Sequence, residues 1–163
     1  MKILIIGAIG QLGTDLVKAL ATHDLVVPDR MTLDVIQLDQ IHQILKSERP
    51  QVVINTAAFH QVDQCESEVS TSFLVNSKAI RDLALVAREI EAVLVHFSTD
   101  YVFDGALKRS YREWDPTAPL NHYGYSKLAG ECFVRSLCPA HLIIRTSWLF
   151  GPGGSNFVEN ILA

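Results

Sequence analysis

A tyrosine and a lysine stand four residues apart, at Tyr123 and Lys127, so on a helix they would share one face. A carbonyl reductase needs a proton donor at the oxygen that becomes an alkoxide as hydride arrives. A free tyrosine has a pKa of about 10, and a neighbouring ammonium group would stabilise the phenolate and lower that value. The lysine could also bind the ribose of a cofactor, although this spacing is equally typical of an ordinary surface helix. Tyr125 has no lysine four residues on and is the weaker candidate for the acid.

Thr99 follows an apolar run, residues 93–97, that is predicted to be a central strand. Open α/β sheets bind ligands at the carboxyl ends of their strands, so a hydroxyl group here could orient a substrate carbonyl and the tyrosine. A threonine at the end of a strand can equally cap a turn. Thr99 is therefore a candidate third member of a catalytic set with Tyr123 and Lys127.

Three glycines, Gly7, Gly10 and Gly13, come directly after the first apolar run, with two residues between each pair. In dinucleotide-binding turns the first glycine allows a tight turn, the second lets the backbone approach a pyrophosphate, and the third allows close packing of helix against strand. The amides at the start of the following helix then face the phosphates, where the helix dipole also favours negative charge. The position between a strand and a helix is what such a motif requires, and it favours a dinucleotide site over a turn that binds nothing.

An acidic residue about 20 positions after the glycine turn usually binds the adenosine ribose. Asp29 stands near this place, and Arg30 is next to it. The aspartate favours NADH, whereas an adjacent arginine can accommodate the additional phosphate of NADPH. Both residues are also typical of an ordinary polar strand end. The sequence therefore predicts NADPH or NADH as cofactor without choosing between them.

The candidate residues stand at the ends of elements that alternate between short β-branched runs and amphipathic stretches of helix length. Such alternation is typical of a parallel sheet covered by helices on both faces. The predicted strands are 3–6, 25–27, a short edge strand at 33–35, 52–55, 93–97 and 141–145. The predicted helices are 11–21, 38–45, 70–89 and 123–137, and residues 104–121 are predicted to be a loop. The expected fold is an α/β, doubly wound, Rossmann-like parallel sheet with the strand order 3-2-1-4-5-6.

The size, charge and cysteine content of the chain exclude several classes of protein. The chain has 163 residues, 48% hydrophobic and 20% charged, and we assign residues 1–163 to one dinucleotide-binding domain. The formal net charge of −4 argues against a nucleic-acid or membrane partner, since both need a cationic surface. The three cysteines form no Cys-x-x-Cys pair, which favours free thiols in a reducing compartment. We therefore expect a cytoplasmic protein, and no metal site is predicted.

Six segments of the chain resemble the extended short-chain dehydrogenase/reductase family. They span nearly the whole chain in the expected order, and their combination is more specific than the glycine turn alone. The segments are 7–13 (GAIGQLG), 62–68 (VDQCESE), 98–105 (STDYVFDG), 119–124 (PLNHYG), 126–131 (SKLAGE) and 145–148 (RTSW).

Within this family the chain is similar to the branch that reduces a nucleotide-linked 4-keto sugar. The resemblance implies transfer of a hydride from NADPH or NADH to the C4 carbonyl of dTDP-4-dehydrorhamnose, which gives dTDP-rhamnose. Thr99, Tyr123 and Lys127 fall on the family's catalytic triad. Trp148 falls on a position of the sugar pocket, although an aromatic residue after a strand can also serve packing alone. The expected partners are the nucleotide-linked deoxysugar and a second copy of the chain in a homodimer. The residues expected to contact the cofactor are Gly7, Gly10, Gln11, Leu12, Gly13, Asp29, Arg30, Asp34, Val35, Ala57, Ala58, Tyr123 and Lys127.

The chain departs from the family pattern in three ways. Ile9 stands in the glycine turn where the family commonly has asparagine, which removes a polar contact to the cofactor. Phe59 and His60 replace an aromatic–threonine pair on the nicotinamide side. A catalytic role for His60 is an alternative, but a polar loop histidine is the favoured interpretation. Family members continue with a smaller lobe that holds the sugar nucleotide, whereas this chain stops at residues 161–163, which we interpret as the start of a helix. We therefore expect a truncated form that binds NAD(P)H but has little or no reductase activity alone.

Two other functions fit parts of the pattern. An epimerase or a 4,6-dehydratase shares the fold, but a dehydratase of this type has Asp-Glu after the threonine, because removing water needs its own acid and base. Here Thr99 is followed by Asp100 and Tyr101. A reductase-like protein can also be a non-catalytic regulatory subunit, of the type that serves methionine adenosyltransferase. The complete set of Thr99, Tyr123 and Lys127 favours an enzyme over such a subunit.

Overall fold

One parallel sheet organises the chain. The computed structural model describes residues 1–151 and Ile161. Its strands are β1 (Lys2–Ile6), β2 (Asp24–Val26), β3 (Val52–Asn55), β4 (Val93–Thr99) and β5 (His141–Thr146). They pair in parallel in the order β2-β1-β3-β4-β5. Because a parallel pair of strands needs a crossover connection, the chain returns through helical segments between successive strands. The predicted α/β, Rossmann-like fold class is confirmed.

Helices fill most of the connections between the strands. They are α1 (Gln11–Ala19), α2 (Leu38–Glu48), α3 (Val62–Ser67), α4 (Val69–Phe73), α5 (Ala79–Glu89) and α6 (His122–Leu137). A π-helical turn, Leu74–Lys78, joins α4 to α5, and a 3-10 turn, Asp100–Val102, follows β4. No helix in the part of the chain that the structure describes is long and apolar enough to cross a membrane.

The core has two layers, one on each face of the sheet. On one face, Leu4, Val53 and Leu94 pack against the apolar sides of α2, α5 and α6. On the other face, Ile3, Ile5 and Ile54 pack against α1 and its C-cap, through Leu16, Val17 and Leu20. Residues of alternating orientation are thus buried on both sides, which explains why the strands are apolar runs without a polar face.

The predicted edge strand at 33–35 is wrong. Leu33 and Val35 are buried in the layer beside α2 and α5, but the segment between β2 and α2 forms turns and irregular backbone. Its alternating apolar residues are therefore explained by burial of a loop and not by pairing of a strand. When this strand is removed from the predicted order 3-2-1-4-5-6, the remaining order is the observed one.

The remaining predicted strands and helices are confirmed, with ends shifted by a few residues. The predicted helix 70–89 is interrupted, since it consists of α4, the π-helical turn and α5, and α3 was not predicted. Residues 104–121 contain neither helix nor strand, as expected. Cys65, Cys132 and Cys138 are free thiols. Of residues 161–163, interpreted as the start of a helix, Leu162 and Ala163 lie outside the described residues.

Candidate functional site

A cleft of about 1090 Å³ runs along the carboxyl ends of the strands. It crosses the point between β1 and β3 where the chain changes direction across the sheet, which is where open α/β sheets bind ligands. Segments that follow each of the five strands contribute to its lining. All of the site residues predicted from the sequence line this one cleft: Gly7, Gly10, Gln11, Leu12, Gly13, Asp29, Arg30, Asp34, Val35, Ala57, Ala58, Thr99, Tyr123, Lys127 and Trp148.

The turn that connects β1 to α1 leaves no space for a side chain at its first and third glycines. Gly7 has φ of 79°, and a Cβ atom there would lie 2.7 Å from Thr56 Oγ1. At Gly13 a Cβ atom would overlap the carbonyl oxygen of Gly7 and lie 2.6 Å from Cα of Ala8. The first glycine therefore makes the tight turn and the third allows α1 to pack closely on the strand end, as the spacing of the glycines predicts.

The amino end of α1 is open to an anion. The helix begins after Gly10, which has no side chain to cap it, and its first turn contains no acidic residue. The first amides of a helix have no acceptor within the helix, so those of Gln11, Leu12 and Gly13 can donate to a ligand in the cleft. A Cβ atom at Gly10 would meet only the Gly7 carbonyl oxygen, at 3.3 Å, within 4 Å. These residues fit the diphosphate of a dinucleotide, which a helix amino terminus stabilises electrostatically.

Asp29 and Arg30 lie beyond the end of β2 and differ in how freely they can bind a ligand. Asp29 Oδ1 accepts hydrogen bonds from the Thr32 amide (2.8 Å) and the Thr32 hydroxyl (2.7 Å). These bonds hold the pKa of Asp29 below its ordinary value. Arg30 is 82% exposed in its side chain. In the part of the chain that the structure describes, its one polar contact is a long one, 3.5 Å, with Asp34. The carboxylate is therefore partly committed to its own turn, whereas the guanidinium is available to a phosphate.

Tyr123 and Lys127 lie on one face of α6 and enter the cleft beside Thr99. The start of α6 is fixed by two side chains. Asn121 Oδ1 accepts a hydrogen bond from the Gly124 amide (2.8 Å), and Glu66 of α3 accepts one from the His122 amide (2.8 Å). A capped helix start of this kind holds the first turn, and therefore Tyr123, in one orientation. Tyr125, by contrast, is 51% exposed and is not among the residues that line the cleft.

Lys127 is a buried cation at the floor of the cleft. It is 3% exposed, and its Nζ donates a 2.7 Å hydrogen bond to the carbonyl oxygen of Phe97. Burial lowers its pKa from 10.5 to about 8, and Glu131 opposes this effect. The side chain therefore remains mostly charged at pH 7, and its ammonium group has a fixed position below Tyr123 on the helix.

The pKa of Tyr123 is raised, contrary to the expectation that Lys127 would lower it. Burial of the half-buried phenol is the largest cause, and the hydrogen bond with Thr99 opposes it. The Lys127 ammonium is directed to the Phe97 carbonyl, while Cys65, Asp100 and Tyr101 raise the pKa of the phenol in the same direction as burial. Tyr123 is consequently held as a neutral hydroxyl group, which is the form that a proton donor requires.

Thr99 caps the turn that follows β4 and also lines the cleft. Its hydroxyl oxygen accepts a hydrogen bond from the Tyr101 amide (3.2 Å) and so caps the 3-10 turn. It is 5% exposed, lines the cleft, and contacts Tyr123 through the hydrogen bond that lowers the pKa of the phenol. The cap fixes the hydroxyl group at the edge of the cleft, where it can orient a carbonyl.

Trp148 lies at the end of the cleft after β5, with 60% of its surface exposed. Its φ is 49°, a left-handed conformation that a bulky residue adopts only under strain. Strained backbone of this kind is concentrated at ligand sites. The placement fits the predicted contact with substrate better than a packing role, because the ring is not in the core.

Sequence reasoning missed Asn76, which ties three parts of the site together. It is 1% exposed and lies in the π-helical turn. Its side chain accepts from the Phe59 amide (2.9 Å) and donates to the Phe59 carbonyl (2.8 Å) and to Ser126 Oγ (3.0 Å). The loop after β3 is thereby bound to α6. The signal in the sequence was a polar residue inside an otherwise apolar helical period.

The chain matches the family model described as RmlD substrate binding domain over residues 1–163. It is 42% identical to a dTDP-4-dehydrorhamnose reductase of Aggregatibacter actinomycetemcomitans, over 99% of this chain and 56% of the relative. It is 40% identical to the spore coat polysaccharide biosynthesis protein SpsK of Bacillus subtilis, over 99% of this chain and 58% of that protein.

A solved structure is similarly close. The dTDP-4-dehydrorhamnose reductase of Bacillus anthracis in complex with NADP superposes with a TM-score of 0.96 at 39% identity, covering 99% of this chain and 58% of that one. The chain thus spans somewhat more than half the length of the relatives that it matches. Since the family model covers every residue, the chain belongs to the RmlD substrate binding domain family.

Proposed function

We propose that the chain supplies the cofactor site and the proton donor of a reductase that converts dTDP-4-dehydrorhamnose to dTDP-rhamnose with NADPH. The observation that carries this proposal is the meeting of a dinucleotide-type glycine turn with Thr99, Tyr123 and Lys127 in one cleft. Relatives at about 40% identity carry this activity in their names. Because the chain covers little more than half of those relatives, the complete reaction is part of the proposal.

The bound nicotinamide would supply the hydride that reduces the sugar C4 carbonyl. Tyr123 then donates its phenolic proton to the C4 oxygen, and the raised pKa of the phenol keeps that proton in place until negative charge develops on the oxygen. Thr99 orients the carbonyl by hydrogen bonding. Lys127 places a positive charge beneath the phenolate that forms, and it binds the cofactor ribose. Thr99 ends β4, and Tyr123 and Lys127 lie in the first two turns of α6, so all three groups are held on regular elements, which favours precise alignment.

The balance between Asp29 and Arg30 favours NADPH. Asp29 has two hydrogen bonds to Thr32 on one of its oxygens, so it is less able to bind both ribose hydroxyls. Arg30 is exposed, lines the cleft and has only a weak surface contact with Asp34. An arginine in this position binds the 2′-phosphate that distinguishes NADPH from NADH.

The wider context of the protein is proposed on the same basis. Residues 1–163 would form one dinucleotide-binding domain, whose substrate is a nucleotide-linked deoxysugar that contacts Trp148. Free thiols favour a cytoplasmic location. A homodimer remains a prediction from the resemblance, and sedimentation equilibrium of the purified chain tests it.

An elimination of water is disfavoured by the position of Asp100. Its Oδ1 accepts a hydrogen bond from the Thr99 hydroxyl (3.2 Å) and its Oδ2 accepts one from Ser147 Oγ (2.8 Å). Both carboxylate oxygens are thus committed to neighbouring side chains. The residue that follows Thr99 is therefore poorly placed to serve as the additional acid or base of a dehydratase.

The test has two stages. Titration calorimetry with NADPH first measures cofactor binding to the 163-residue chain. NADPH oxidation is then followed with dTDP-4-dehydrorhamnose as the oxidant, for the chain alone and for a chimaera that appends the part of the Aggregatibacter relative beyond the matched segment. Binding by the chain and turnover by the chimaera are expected. A chimaera that binds NADPH but leaves the sugar unreduced contradicts the proposal, and stable capture of a methionine adenosyltransferase would then favour the regulatory alternative.

A further inference from the structure

Glu131 lies one helical turn beyond Lys127 on the face of α6 that carries the proposed proton donor. Tyr123, Lys127 and Glu131 are spaced i, i+4 and i+8, so they follow one another along the helix. Glu131 is completely buried. It does not line the cleft, and a buried carboxylate is costly unless other groups stabilise its charge.

Two arginines stabilise the Glu131 carboxylate. Arg145 of β5 forms a bidentate pair with it, Nε to Oε1 at 2.8 Å and Nη2 to Oε2 at 2.7 Å. Arg135, one turn further along α6, donates to Oε2 at 2.9 Å. Burial alone would raise the pKa of Glu131, but the hydrogen bonds with Arg145 and Ser98 and the charges of both arginines more than offset it, and the pKa lies below its ordinary value. Glu131 is therefore an anion at neutral pH.

This anion lies one helical turn from the buried Lys127 on the same face of α6. In the part of the chain that the structure describes, Glu131 is the charged group that acts on Lys127, while Lys127 in turn acts on His96 of β4. His96 is fully buried, its Nδ1 faces the Asn55 amide nitrogen at 3.3 Å, and burial together with Lys127 holds its pKa well below the usual value, so it is neutral. The other titratable groups on elements packed against α6 act elsewhere: Cys65, Asp100 and Tyr101 on Tyr123, and Lys78 and Arg81 on Asp82.

We propose that Glu131, clamped by Arg145, is a positioning residue that keeps Lys127 charged and fixed beneath Tyr123. The inference rests on the proposed function, because it assigns a purpose to Lys127. The ammonium group donates a hydrogen bond to the neutral Phe97 carbonyl oxygen, so the nearby negative charge that stabilises it among the described residues is that of Glu131. The bidentate pair also connects Glu131 of α6 to Arg145 of β5, the strand that comes shortly before Trp148.

The variant Glu131→Gln removes the charge and keeps the size of the side chain. Since removing a nearby opposite charge from a buried ammonium group favours its neutral form, the pKa of Lys127 should fall by about 1 unit in this variant. The measurement is a pH titration of the Lys127 13Cε resonance in 13C-lysine-labelled chain, assigned with Lys127→Met. This titration needs neither cofactor nor substrate.

Asp82→Asn is the matched control. Asp82 is 2% exposed, is paired with Lys78 four residues before it and with Arg81, and lies on α5. Its loss should destabilise the fold in the same manner and leave the titration of Lys127 unchanged. Should Glu131→Gln fail to fold, Arg145→Gln is measured instead. Arg145→Gln removes a positive charge beside the Glu131 carboxylate, so the negative charge of Glu131 acts more strongly on Lys127 and the pKa of Lys127 should rise.

The outcomes separate this inference from the proposed function. An unchanged Lys127 titration in folded Glu131→Gln, or a shift of the same size in Asp82→Asn, overturns the positioning role whether or not the sugar is reduced. In the active chimaera, the pH above which turnover declines should move down by the same amount as the Lys127 pKa, and Glu131→Asp should restore it. A shifted titration in a protein that transfers no hydride overturns the proposed function alone.

Discussion

Replacing Gly10 by valine should separate the binding role of the glycine turn from its structural role. Gly10 has φ of −73° and ψ of 167°, a conformation open to any residue. An added Cβ atom would meet one neighbour, the Gly7 carbonyl oxygen at 3.3 Å. Gly10 is a helix cap without a side-chain bond, and its replacement by an apolar residue should lower the free energy of unfolding by no more than about 1 kcal/mol.

The effect of Gly10→Val on cofactor binding should be much larger. The isopropyl group would project into the cleft and keep the diphosphate away from the amides at the start of α1. A hydrogen bond to a charged group contributes about 1.5–3 kcal/mol, so the loss of two such bonds weakens binding by about 3 kcal/mol, or more than 100-fold. Calorimetric titration with NADPH measures the affinity, and urea unfolding of the same sample measures the stability.

Gly13→Ala is the matched comparison, because it should have the opposite profile. Its methyl group would overlap backbone atoms of Gly7 and Ala8, and overpacking of this kind costs about 1–3 kcal/mol of stability. If Gly10→Val binds NADPH as tightly as the unchanged chain, the turn has no direct role in binding and the reasoning is refuted. If Gly10→Val is as unstable as Gly13→Ala, the geometry assigned to the turn is wrong.

Three further substitutions test the rest of the cleft. Tyr123→Phe in the chimaera should lower turnover by roughly 10²- to 10⁴-fold with NADPH affinity unchanged. A small loss of turnover would contradict this and make Tyr125 the candidate proton donor. Arg30→Gln should weaken NADPH binding at least tenfold, or about 1.4 kcal/mol, and leave NADH binding unchanged, with Lys108→Gln as the control. Lys127→Met should abolish turnover yet raise the unfolding free energy at pH 7 by about 3 kcal/mol, since the lysine pKa is lowered from 10.5 to about 8. The unchanged chain should gain this stability as pH rises through that interval, because its unfolded state then binds more protons.

Much of the fold could be predicted because each strand is apolar on both faces and each connection has a helical period. Burial leaves this trace directly in the sequence, so β1, β3 and β4 were placed correctly. The segment at 33–35 shows the limit of the method. Its apolar residues are buried as a strand would be, but only a hydrogen-bonding neighbour makes a strand, and sequence pattern does not reveal the neighbour.

The cleft residues could be predicted for a different reason. Gly7, Gly10 and Gly13 are constrained by local backbone geometry, and Tyr123 and Lys127 by helical spacing, so short-range pattern is sufficient to select them. Asn76 acts through contacts with Phe59 and Ser126, which are distant in the sequence. The direction of the Tyr123 pKa shift could likewise not be read from spacing, since it depends on burial and nearby groups that together outweigh the hydrogen bond with Thr99.

Stability and function should favour the same residue at one end of the cleft and different residues at the other. At Gly13 the close packing that holds α1 on the sheet also aims its first amides at the ligand, so the fold and the binding site need the same residue. At Lys127 the site needs a charge where the fold would favour an apolar side chain, because burial disfavours the ammonium group. The hydrogen bond to Phe97 and the anion at Glu131 offset only part of that cost. At Lys127 we therefore expect a substitution that raises the free energy of unfolding and abolishes catalysis. At Gly13 we expect no such substitution, because the fold and the binding site need the same residue.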